Sequence, residues 1–241
     1  MTCYNDLLYV LNTGSDTISG FRIGAGGTLT VIGGSIRNLS GTGVVAPQIS
    51  FSPNGEYLYV TEKATNLITQ FHIDAIGVAG AGTSTASTGI TPFGFEFGRN
   101  DYMIVSNAAA GAAGAGSATS YTGANAGNLN DVNGAVANNQ AAPCWVAVTK
   151  HGRFAFTTNT ASDNISSYYV APRGGLYLIH AAIPSGDAPI DMVISRNNFY
   201  AYALCAKDHT IQEYNRTFLG GLNHIGSIPN LPNFAAGLAV Y

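Results

Sequence analysis

Pro47-Gln-Ile-Ser-Phe-Ser-Pro-Asn-Gly-Glu-Tyr-Leu-Tyr-Val-Thr-Glu-Lys-Ala-Thr-Asn-Leu-Ile-Thr-Gln-Phe71 holds the grammar of the whole chain. A proline opens a short apolar run, a Pro-Asn-Gly turn follows, and a second strand runs to Tyr59-Val. A polar loop then leads into a third strand with Ile68 and Phe71. Apolar residues at both parities of the first run mark a strand buried on both faces. Proline is tolerated at its first position because no ladder hydrogen bond is lost there.

The same phrase recurs along the chain. Its prolines are Pro47, Pro92, Pro143, Pro189 and Pro232, spaced 45, 51, 46 and 43 residues apart. The second-strand position reads Tyr9, Tyr59, Ile104, Phe156 and Tyr202. The third strand carries Ile18, Ile68, Ala118, Ile165 and Ile211, each with an aromatic three residues on: Phe21, Phe71, Tyr121, Tyr168 and Tyr214. Helical periodicity is absent. A period in the forties made of four short strands is that of a propeller blade. The expectation is an all-β, five-bladed β-propeller of four-stranded antiparallel blades, a single domain over residues 1–241. The chain opens at a second strand, Leu7 to Leu11. Phe234 to Tyr241 is therefore expected to complete the N-terminal blade and hide the sheet edges. Ala108 to Gly116, rich in Gly and Ala, reads as a mobile insertion.

Composition narrows the function classes. Charged residues are 10% of the 241 and the formal charge is −3, so no basic footprint points to nucleic acid. Sparse charge with Ser, Thr and Asn carrying solubility points to an extracellular or cell-surface protein. The N-terminus lacks a basic stretch followed by an apolar one, so an exported form has already shed its signal. No run reaches the ~18 apolar residues that span a bilayer. Three cysteines, Cys3, Cys144 and Cys205, give no metal-ligand spacing.

The strings Leu8-Tyr-Val-Leu-Asn-Thr-Gly14, Pro47 to Gly55, Val60-Thr-Glu-Lys-Ala-Thr-Asn-Leu-Ile68, Thr91-Pro-Phe-Gly-Phe95 and Cys144-Trp-Val-Ala-Val-Thr149 resemble the lactonase-type β-propeller family. That family includes 6-phosphogluconolactonase-like and carboxymuconate-cyclizing proteins. Its members usually have seven blades, and this chain resembles their last five. The resemblance implies a lactone ring opened or formed at the mouth of a central channel.

Antiparallel strands bring the start of strand one and the end of strand two to the same face, so candidate residues are sought there. The column ending strand two reads Asn12, Glu62, Asn107, Asn159 and Cys205. A recurring Asn is read as holding the following turn. Glu62 breaks the column, and with Lys63 it is a candidate acid/base or, through its oxygens, a ligand for a hard cation such as calcium. Its plain reading is a solvated rim pair. Asp191 and Glu96 interrupt inner strands, where a carboxylate must be paired or raised in pKa. Asp191, one residue past the mouth, ranks above Glu96. Lys63 would steer an anionic substrate. Gln48, Trp145, Asn159 and His209 are substrate-binding candidates, with Trp145 able to stack on a sugar ring. The competing function is a non-catalytic surface propeller that binds glycan or protein, or self-assembles.

Overall fold

A computed structural model describes residues 1–240 and contains five sheets, one per repeat. The first holds Thr2–Tyr4, Leu7–Asn12, Thr17–Ile23 and Leu29–Val31, with Arg37–Asn38 added alongside Thr17–Ile23. The second holds Gln48–Phe51, Tyr57–Glu62, Leu67–His72 and Thr83–Ala86. The third is Pro92–Phe97, Met103–Asn107, Ser117–Thr122 and Asn130–Ala137. The fourth is Pro143–Val148, Phe154–Asn159, Asn164–Val170 and Leu176–Pro184. The fifth is Pro189–Ile194, Tyr200–Cys205, Thr210–Arg216 and Leu222–Ile228. Every pairing is antiparallel and, apart from the added Arg37–Asn38, joins chain neighbours, the layout of propeller blades.

The repeat columns explain how blades stack. Second-strand tyrosines reach forward: the Tyr9 hydroxyl donates to Gly77 O at 2.8 Å and that of Tyr59 to Ala124 O at 2.8 Å. Third-strand aromatics reach back, the Tyr214 hydroxyl donating to Pro184 O at 3.1 Å and that of Tyr121 accepting from Thr88 N at 2.8 Å. The preceding blade therefore buries Phe71, Tyr121, Tyr168 and Tyr214, whereas Phe21 of the first blade is only half-buried. The mirror case is Ile211, half-buried in the fifth blade where Ile18, Ile68, Ala118 and Ile165 are fully covered. Inner strands pack in chain order, first to fifth, and no packing of that extent joins the fifth sheet to the first among the described residues.

The N-terminal blade is completed differently from the sequence expectation. Thr2, Cys3 and Tyr4 pair with Tyr9, Leu8 and Leu7 and supply its inner strand. Three residues are too few to display a strand pattern in the sequence. Phe234 to Val240 form no strand; Tyr241 lies outside the described residues. The tail instead follows the fifth blade, with Leu231 N–H donating to His209 O at 2.9 Å and Leu238 N–H to Asp191 Oδ2 at 2.7 Å.

The insertion at Ala108 to Gly116 is tied down. Ala108 N–H donates to Thr91 O at 2.9 Å, Ala110 N–H to Thr91 Oγ1 at 3.0 Å, and Gly116 N–H to Gln140 O at 2.8 Å. Backbone groups bind where small side chains leave them accessible.

A repeated strain sits at the mouth. Thr91, Ala142 and Ala188, each preceding a repeat proline, have φ of 60°, 50° and 53°. Each carbonyl there accepts an N–H from just past strand two: Ala108, Thr160 and Ala206. Left-handed non-glycine residues cost energy and cluster at functional sites. Directly after each of these prolines the register with strand two slips, which re-aims the following side chains as a bulge does.

Candidate active site in the channel

The inner strands of blades two to five, with the tail, enclose a cleft of about 250 Å³. Gln48, Ser50, Phe95, Glu96, Phe97, Trp145, Val148 and Leu238 are among its walls. Glu96 is the only ionisable side chain in that lining.

Alternation along Pro92–Phe97, after the slip at Pro92, puts Glu96 toward the channel while Phe95 packs into the core. One oxygen, Oε2, accepts the Val148 N–H of the next blade at 2.5 Å. Neighbouring protein desolvates the carboxyl and raises it to about 7 against the opposing pull of the Val148 N–H. Its side chain remains open to water in the cleft, which offsets part of that cost. A carboxyl poised near neutrality beside a cleft open to solvent can take or give a proton.

Asp191 is buried and spends both oxygens on backbone amides: Oδ1 on Met192 N–H and Oδ2 on Leu238 N–H, each at 2.7 Å. Burial raises it to about 6, the two N–H groups pulling the other way. Its carboxyl holds the tail against the inner strand of the fifth blade.

The structure does not bring Glu62 and Asp191 to one void. Glu62 is fully buried and outside the channel lining. Oε1 accepts from Ser40 N–H at 3.1 Å and Thr69 Oγ1 at 2.5 Å, and Oε2 accepts from Thr65 Oγ1 at 2.8 Å and from the Ser40 hydroxyl. The solvated rim reading therefore does not hold. Glu62 keeps the column's geometry with the polarity reversed. Asn12 donates to Thr17 and Ser19, Asn107 to Ser117 and Thr119, and Asn159 to Asn164 and Ser166. The asparagines donate to third-strand groups; Glu62 accepts from Thr69 of its third strand, and from Ser40 and Thr65 outside it. Asn159 is fully buried, and its Oδ1 takes a 3.0 Å bond from Asn138 of the preceding blade.

The remaining candidates scatter. The Lys63 ammonium lies 4.6 Å from the Phe93 ring centre, a cation–π contact at the mouth. The neighbouring Cys144 thiol is pushed up by burial, against smaller pulls from Thr160 and Lys63. Cys205 is buried and raised to about 12, mainly by desolvation. Gln48 lines the cleft with its amide committed: Nε2 donates to Phe95 O at 2.7 Å and Oε1 accepts Phe95 N–H at 2.8 Å. Trp145 is half-buried in the cleft wall. His209 is half-buried at φ 54°, its carbonyl holding the tail. Among the described residues no three His, Cys, Asp or Glu side chains converge as a metal site, and the oxygens of Glu62 are filled by protein donors. No helix among the described residues is long and apolar enough to cross a membrane.

Residues 5–123 match the family described as lactonase, 7-bladed beta-propeller. This segment, just under half of the chain, is similar to the lactonase-type β-propellers. The same arrangement of blades is found in solved structures. A protein from Lactobacillus plantarum shares 18% identity over 95% of this chain and 69% of its own, with a TM-score of 0.81. A putative 6-phosphogluconolactonase from Bacteroides fragilis gives 18% identity, 94% and 68% coverage and a TM-score of 0.79. The periplasmic gluconolactonase of Pseudomonas aeruginosa gives 18%, 96%, 69% and 0.73. At such identities the likeness concerns the fold, and the chain spans somewhat over two thirds of these three structures. Among curated proteins none matches the chain in sequence.

Proposed function

We propose that this lactonase-type propeller binds a compact cyclic ester in the channel cleft and opens it with water. Glu96 is the general base. It takes a proton from water as the oxygen attacks the ester carbonyl, and the proton passes to the ring oxygen as the carbon–oxygen bond breaks. Phe97 and Trp145 supply apolar wall for a ring. Lys63 and Asp191 serve the frame, one on Phe93 and the other on Leu238.

The observation that carries this reading is the Glu96 carboxyl, raised to about 7 and lining an open cleft, in a chain whose first half matches the lactonase family. The direct test is hydrolysis of gluconolactone by the purified protein and by Glu96→Gln. Protein-dependent ring opening that falls by about a hundredfold in the variant supports the assignment. Equal rates in the two proteins, or no rate above buffer, overturns it.

A further inference from the structure

The face opposite the channel mouth carries a charge asymmetry that the net charge of −3 conceals. Turns and strand ends on this face of blades three to five contribute Arg99, Lys150, Arg153, Arg173, Arg196 and Arg216, against two carboxylates, Asp101 and Asp131. Blades one and two place Asp6, Glu56 and Asp74 on the same face, with Arg22 paired to Asp6. The ion pairs among the described residues are Arg22–Asp6 and Lys207–Asp187, so none of the six cations has a carboxylate partner.

Large apolar side chains stand among these cations. Phe218 is 80% exposed, Leu219 74% and Phe199 62%. Phe218 and Leu219 form the tip of the outer hairpin of blade five, and Phe199 lies in the turn after Arg196. Aromatic rings also hold the guanidiniums in place. Arg153 Cζ lies 5.4 Å from the Phe154 ring centre and 5.7 Å from that of Phe218, and Arg216 Cζ lies 5.6 Å from Phe154. Burial, and then the neighbouring Arg153, lower the pKa of Arg216, as expected for two cations sharing one ring with no anion between them.

We propose that this face of blades three to five docks on an anionic lipid surface, with Phe199, Phe218 and Leu219 entering the headgroup region and the six cations meeting lipid phosphates. A soluble anion would satisfy the arginines without a reason for three bare apolar side chains beside them. An apolar protein partner would leave the cations unanswered. Only an interface both anionic and apolar meets both sets.

The test is co-sedimentation with phosphatidylcholine vesicles, with and without about 30% phosphatidylglycerol. The protein is expected to pellet with the anionic vesicles, stay in solution with neutral ones, and be released at high salt. Two exposed pairs separate the contributions, Phe218→Ser with Leu219→Ser, and Arg173→Gln with Arg196→Gln. Each should weaken binding about tenfold while near-ultraviolet circular dichroism stays unchanged. Equal pelleting with neutral vesicles overturns the proposal, as does no pelleting. So does binding that both the apolar pair and a heparin column show to be charge alone, because the partner is then a soluble polyanion.

Discussion

Asp191 accepts the backbone N–H of Leu238, a residue 47 positions further on, and thereby does what Gln48 does to Phe95 across the same separation. Glu96 repeats the contact with Val148, 52 positions on. In each case an inner-strand side chain grips the backbone one repeat later. The tail thus occupies, beside blade five, the place where a next inner strand would stand. That is the physical reason it does not return to blade one: its repeat register fits the far side of the fifth blade, and Thr2–Tyr4 already fills the first.

The raised pKa of Asp191 makes stability depend on pH. Its carboxyl moves from 3.8 to about 6 on folding, so between these values the folded chain holds a proton the unfolded chain has released. Stability from this group is complete below about pH 4 and is lost as pH rises through about 6, by about 3 kcal/mol. Glu96 acts in the same direction up to about pH 7. Urea denaturation at pH 5 and pH 7.5 should show the protein less stable at the higher pH. Asp191→Asn should flatten the difference, and an unchanged slope in that variant would exclude Asp191 as its source.

Catalysis should run the opposite way with pH. A general base works only when deprotonated, so the rate of lactone opening should rise with pH and level off above about 7, following the Glu96 carboxyl. Spontaneous lactone hydrolysis must be subtracted at each pH. In Glu96→Gln this limb should vanish along with most of the rate. A limb that persists in the variant would move the base elsewhere.

Glu62 is predicted to matter for folding instead of turnover. Glu62→Ala leaves the hydroxyls of Ser40, Thr65 and Thr69 and the Ser40 N–H without their acceptor. A loss of about 3 kcal/mol is expected in thermal or urea unfolding. Activity per folded molecule should stay at the wild-type level. A stable variant with no activity would return Glu62 to the chemistry.

The sequence carried the blades clearly because a repeat is a packing rule written several times over. Tyr9 and Tyr59 must reach the next blade, and Tyr121 and Tyr214 the previous one, so these columns show in the bare sequence. The site was less legible. Glu62 drew attention by breaking a column of asparagines, yet hydroxyls at third-strand positions can receive from Asn or donate to Glu with the same backbone. That exchange of polarity is invisible without the partners. Along an ideal strand Asp191 stands nearer the mouth than Glu96. The register slip after Pro92, and the tail lying over Asp191, put Glu96 in the cleft and take Asp191 out of it. The missed signal was the alternation itself: in Phe93-Gly-Phe-Glu-Phe97 the buried Phe95 fixes Glu96 on the opposite side.

Gly94 offers the sharpest probe of the cleft, because the chain has a single tryptophan and it lies in that wall. A Cβ built on Gly94 would lie 2.5 Å from Cys144 O and 2.9 Å from Trp145 Cα, both backbone atoms that cannot swing aside. The approach is bridged by the Ser106 hydroxyl, which accepts Gly94 N–H at 3.1 Å and lies 2.5 Å from Cys144 O as donor. Gly94→Ala should therefore force the inner strands of blades three and four apart at a cost of about 2 kcal/mol. Trp145 fluorescence should shift to longer wavelength as water enters, and lactone opening should fall with it. Ser106→Ala removes the bridge without adding bulk, and should cost about 1 kcal/mol while leaving the emission nearly unchanged. A Gly94→Ala protein with wild-type emission and stability would show that the strands do not approach this closely in solution, and would remove the wall on which the proposed substrate rests.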